Sequence, residues 1–157
     1  MKRVLLGILL AAGLAAPLTA GDLEPRQGWE VFPTEKSYAD LVAGVKAAVK
    51  ANGMGVVTEA GPTEAAAGRG ITIPGNRVIG VFNNEFAVEI LNLSTAAMIE
   101  APIRIYVTEN EDGTAMLSYK TPSFVFAPYV PEAGADLSGL AAELDVRFAA
   151  IAQDAIK

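Results

Sequence analysis

Residues 103–120 constrain the fold more than any other stretch. Ile103, Ile105 and Val107 alternate with Arg104, Tyr106 and Thr108, the period-2 pattern of a half-buried strand. Residues 110–113 (NEDG) supply a turn, and residues 114–120 return. Two alternating strands about an Asp-Gly turn make a hairpin. A hairpin commits the chain to an antiparallel sheet, and the apolar side of that sheet must be covered.

The remaining patterns supply the cover. Residues 29–32 read as a first strand and residues 54–59 as a second, while residues 77–82, apolar on both faces, read as a central one. Between them Ser37 opens a helix with Asp40 three residues on, as in a capping box. Tyr38, Leu41, Val42, Val45, Ala48 and Val49 form its apolar stripe, and Asn52-Gly53 ends it. Residues 60–76 read as a Gly-, Ala- and Pro-rich loop with one helical turn near Thr63. Asn83-Asn84 starts a second helix, and Ser94 is placed to cap a further turn. Residues 121–134, with Pro122, Pro128 and Pro131, are expected to be mostly extended. Asp136 is expected to cap a last helix with Leu137, Leu140, Leu144, Phe148 and Ile151 on one face and an exposed Glu143–Arg147 pair. The order predicts one α+β domain, a largely antiparallel sheet with helices packed on one face.

Residues 1–20 read as an address. Lys2 and Arg3 precede an apolar run of about 13 residues, short of the ~20 that span a bilayer. Pro17 breaks the run, and cleavage is expected near Ala20, with Leu18 larger than the small residue usual at that place. The expectation is a periplasmic or secreted chain without stable membrane insertion. Residues 21–28 form a polar lead-in, and the domain occupies 29–157.

Composition narrows the chemistry. The chain has no Cys and no His, which removes zinc, iron–sulfur and His-ligated haem sites and every Cys–His or Ser–His–Asp apparatus. No metal and no cofactor is expected. The formal charge of −6 argues against nucleic acid as a partner.

Three blocks together carry a resemblance. They are residues 52–59 (NGMGVVTE), residues 77–84 (RVIGVFNN), and residues 101–107 (APIRIYV) followed by Glu111-Asp112-Gly113 and Ser118-Tyr119. They resemble the family of domain of unknown function 302, over roughly residues 29–119. The resemblance implies a single copy of the TATA-binding-protein-like α+β fold, without DNA binding, and no established activity. Many members of that family carry Cys where this chain has Asn83 and Ile103, and Pro where it has Glu85. Thiol chemistry is therefore not transferred. Asn84, Pro102 and Arg104 match the family.

The candidate ligand site is Asn83, Asn84 and Arg104. A helix N-terminus favours anions, and Arg104 on a strand facing that point would complete a site for a small carboxylate or phosphate. The plainer reading has Asn capping its own helix and Arg104 paired with an acid at the surface. Residues 68–75 lack the Lys-Ser/Thr ending of a phosphate loop, and residues 109–113 lack calcium-loop spacing. Ser118 and Lys120 share one strand face, so a serine–lysine pair is sterically conceivable there. The leading expectation is a binding module for a small ligand or a protein, with a homodimer expected from open sheet edges. The alternatives are a hydrolase- or isomerase-type enzyme using Asn84 and Arg104, and a structural or chaperone-like envelope protein.

Overall fold

The computed structural model describes residues 23–157; the leader expected over residues 1–20 lies outside them. Five strands form one antiparallel sheet in the order β1-β5-β4-β3-β2. The strands are β1 (Trp29–Ser37), β2 (Gly55–Ala60), β3 (Asn76–Phe82), β4 (Ile103–Glu109) and β5 (Thr114–Lys120). The helices are α1 (Tyr38–Ala51), α2 (Thr63–Ala67), α3 (Asn84–Leu93), α4 (Pro122–Phe126) and α5 (Val130–Ile156), with short 3-10 turns at Ala97–Glu100 and Ala127–Tyr129. Among the described residues no helix is long and apolar enough to cross a membrane.

Pleating sorts the side chains into two sets. Ile79, Val81, Ile105, Val107, Leu117 and Tyr119 point to one face, where they join Leu41, Val45 and Val49 of α1 and Leu137, Leu144, Phe148 and Ile151 of α5 in a single core. The helices therefore cover one face, as the alternation demanded. α1 and α5 approach so closely that a Cβ on Gly44 would lie 2.9 Å from the carbonyl oxygen of Ala155. Lys36 Nζ donates to that same carbonyl at 2.9 Å, giving a last-turn acceptor of α5 a cationic partner.

Local signals place most boundaries. Ser37 Oγ accepts from the Asp40 N–H at 3.2 Å. Asn52 and Gly53, the latter at φ +71°, close α1. Ser94 Oγ accepts from the Ala97 N–H at 3.0 Å and starts the turn that follows α3.

Three expectations need correction. β1 runs on to Ser37 through Pro33, which is tolerated because β1 is an edge strand bonded on one side only. Residues 121–134 are helical rather than extended. Pro122 and Pro131 sit in the first turns of α4 and α5, where no N–H is needed, and Thr121 caps α4. α5 opens with a short helical turn from Val130 that breaks at Gly134 (φ +77°), and the long helix begins just after the break, beside Asp136, where the sequence placed its start. Arg147 donates to the Asn52 carbonyl at 3.1 Å and lies over the Phe86 ring instead of pairing with Glu143.

Both edges are interrupted. β1 shifts register between Pro33 and Ser37, and β2 between Val56 and Thr58. Such breaks discourage edge-to-edge pairing, so these strands offer a second copy less than unbroken ones would.

Candidate functional site

The second set of side chains stands on the face away from the helices. Register arranges it in rows across the sheet. Val78 opposes Tyr106, Tyr106 opposes Ser118, and Ser118 opposes Val31. In the adjoining row Gly80 opposes Arg104, and Lys120 opposes Trp29. Continuing the β4–β5 register by one residue from Ile105–Tyr119 puts Arg104 beside Lys120. Two cations thus stand side by side on neighbouring strands, an arrangement that is unfavourable without an anion between them.

A cavity of about 470 Å³ opens here. Val78, Ile103 and Val125 give it apolar walls, and Trp29 gives an aromatic one. Arg104 and Lys120 line it, as do Asn76, Tyr106 and Glu100. Among the described residues neither Arg104 nor Lys120 forms a salt bridge. Arg77 makes the contrast: on the helix side of the same sheet it meets both Glu59 and Glu64.

The polar groups are fixed by their neighbours. Asn76 Nδ2 donates to the Tyr106 hydroxyl, which leaves the phenolic proton free to be donated onward. Tyr129 Oη donates to Glu100 Oε1 at 2.8 Å, and that bond raises the Tyr129 pKa, with burial adding to it. Lys120 Nζ lies 5.8 Å from the Trp29 ring centroid and the Arg26 guanidinium 5.2 Å from it. The indole is seated by Gly28 just before it. Gly28 has φ +73°, and a Cβ there would collide with the Phe124 ring of α4.

Arg104 therefore lines a cavity, but Asn83 and Asn84 are elsewhere. Asn83 caps α3 on the helix side: its Oδ1 accepts from the Glu85 N–H at 2.8 Å and the Phe86 N–H at 3.3 Å. Its Nδ2 donates to the Gly53 carbonyl at 3.1 Å. Two of the first-turn donors that would attract an anion are thus already engaged. Asn84 is exposed at the start of the same helix. Neither Asn83 nor Asn84 lines the cavity that Arg104 lines.

Lys120, Trp29, Tyr106 and Glu100 were not read as a site with Arg104 from the sequence. For Lys120 the signal was present, since the turn fixes the hairpin register and the register fixes its neighbour. Ser118 is fully buried, with no hydrogen-bond partner for its hydroxyl. It is enclosed rather than presented as a nucleophile.

The fold and its sheet have relatives. The family described as domain of unknown function DUF302 matches residues 30–155. The chain belongs to this family. The crystal structure of an uncharacterized conserved DUF302 protein from Bacillus stearothermophilus is similar to it, with a TM-score of 0.72 and 19% identity. The match covers 84% of this chain and all of the other. At that identity the likeness speaks for the fold. No curated protein matches the chain. The DUF302 assignment carries no activity with it, so the cavity has to be read from its own chemistry.

Proposed function

We propose that this DUF302 domain is a small-ligand-binding module whose cavity takes an organic acid with an apolar body. The observation that carries the reading is the Arg104–Lys120 pair, two adjacent cations without a carboxylate partner among the described residues. An anion between them removes their mutual repulsion and gains charge-assisted hydrogen bonds. Trp29, Val78 and Val125 provide the surface for the apolar part. The basic and apolar leader over residues 1–20 supports an exported location. An enzyme built on Asn84 with Arg104 is less well supported, because Asn84 is not among the residues lining the cavity that Arg104 lines.

The test uses 3-phenylpropionate and its neutral counterpart 3-phenylpropan-1-ol in calorimetric titrations. The acid is expected to bind and the alcohol to bind far more weakly. Arg104→Ala and Lys120→Ala are each expected to weaken the acid by about tenfold or more, the ~1.5–3 kcal/mol of a hydrogen bond to a charged group. Equal binding of acid and alcohol, or no change in either variant, would reject the reading.

A further inference from the structure

The cavity is not uniformly cationic. Glu100 also lines it, at the end of the 3-10 turn that leads into β4. Its Oε1 is held by the Tyr129 hydroxyl, which comes from the segment joining α4 to α5. No salt bridge to Glu100 occurs among the described residues. The cavity therefore presents two cations and one anchored carboxylate, and none of the three is neutralised by another.

A simple acid bound between Arg104 and Lys120 would cover Glu100 while giving it nothing in return. Burying a carboxylate that has lost water without gaining a donor is unfavourable. A ligand that also carries an ammonium group satisfies both ends. From this we infer that the cavity selects amino acids or other amine-bearing acids, with Arg104 and Lys120 taking the carboxylate and Glu100 the ammonium. Trp29 and the aliphatic walls then receive the side chain, which points to an aromatic or large apolar one. Tyr129 is a positioning residue: it holds Glu100 in place and does not touch the ligand.

This inference rests on the acid-binding reading and is tested so that the two fail differently. The probes are L-phenylalanine, 3-phenylpropionate and 2-phenylethylamine, which share a phenyl-ethyl body and carry both charged groups, the carboxylate alone or the ammonium alone. Phenylalanine is expected to bind at least tenfold more tightly than either of the others. In Glu100→Gln that advantage over 3-phenylpropionate is expected to vanish, while 3-phenylpropionate keeps or improves its affinity. Tyr129→Phe is expected to reduce the advantage without abolishing it. If 3-phenylpropionate binds in an Arg104-dependent manner but as tightly as phenylalanine, the inference fails and the acid-binding reading stands. It fails in the same way if Glu100→Gln weakens both ligands equally. If none of the three binds, both fail. Were Glu100→Gln not to fold, the ranking of the three probes on the unaltered chain would decide.

Discussion

The two faces of the sheet are built from alternate residues of the same strands, yet they have opposite fates. On one, Ile79, Ile105 and Leu117 are sealed beneath α1 and α5. On the other, Val78 and Tyr106 remain half-exposed and line the cavity. Charge follows the same division. Arg77, leaning to the helix side, is answered by Glu59 and Glu64, and Glu59 by Lys46 at 2.6 Å. Arg104 and Lys120, on the other side, are answered by no carboxylate among the described residues. Among the described residues, then, the sheet's cations meet carboxylates on the helix-covered face and none on the open one.

That division can be tested by stability. The largest effect belongs to the covered face. Phe148 is fully buried against the Tyr119 ring, whose centroid is 5.5 Å away. Phe148→Ala is expected to lower the unfolding free energy by about 3–5 kcal/mol, read from denaturant titration. A loss below about 1 kcal/mol would mean that the core is less tightly packed than it looks.

Tyr119 supplies the next effect. Burial, with Glu30 and Asp145 nearby, pushes its phenol up to about 12. Because the folded value exceeds the ordinary 10, the folded state holds the proton more tightly. The contribution is complete below pH 10 and is lost as pH rises towards 12. The melting temperature is expected to fall through that window, and Tyr119→Phe to flatten the fall. An unchanged slope in the variant would assign the effect to other groups.

Ser118 sharpens the contrast from the open side. Its hydroxyl is enclosed without a partner, which costs stability. Ser118→Ala is expected to stabilise the fold by roughly 1 kcal/mol, whereas most buried substitutions destabilise. A destabilised variant would show that the hydroxyl has a partner after all. The smallest effect is expected at the cations themselves. Arg104→Ala should leave unfolding within about 0.5 kcal/mol of the parent, since an exposed cation without a partner contributes little. A marked loss of stability without ligand would make Arg104 a structural residue.

Much of this was legible before any coordinates. The hairpin, the Ser37 cap, the α1 stripe and the role of Ser94 are all local, decided by residues within one or two turns of each other. Asn83 was legible too, as the plainer of its two readings: a cap on its own helix. Proline was the main source of error. Residues 121–134 looked extended because proline breaks helix interiors, but Pro122 and Pro131 occupy first turns, where they fit. Pairing Arg104 with Asn84 failed for another reason. It required knowing which residues line the same cavity, and neither residue carries that information.

The sequence by itself determined an antiparallel α+β domain with one face to be buried, because alternation, caps and turns act over a few residues. It also determined the absence of thiol and imidazole chemistry. Only the tertiary structure decided that Trp29, Glu100, Arg104, Tyr106 and Lys120 share one cavity. They come from distant parts of the chain, and what brings them together is strand order and register, which pack the core and incidentally arrange whatever lies on its far side.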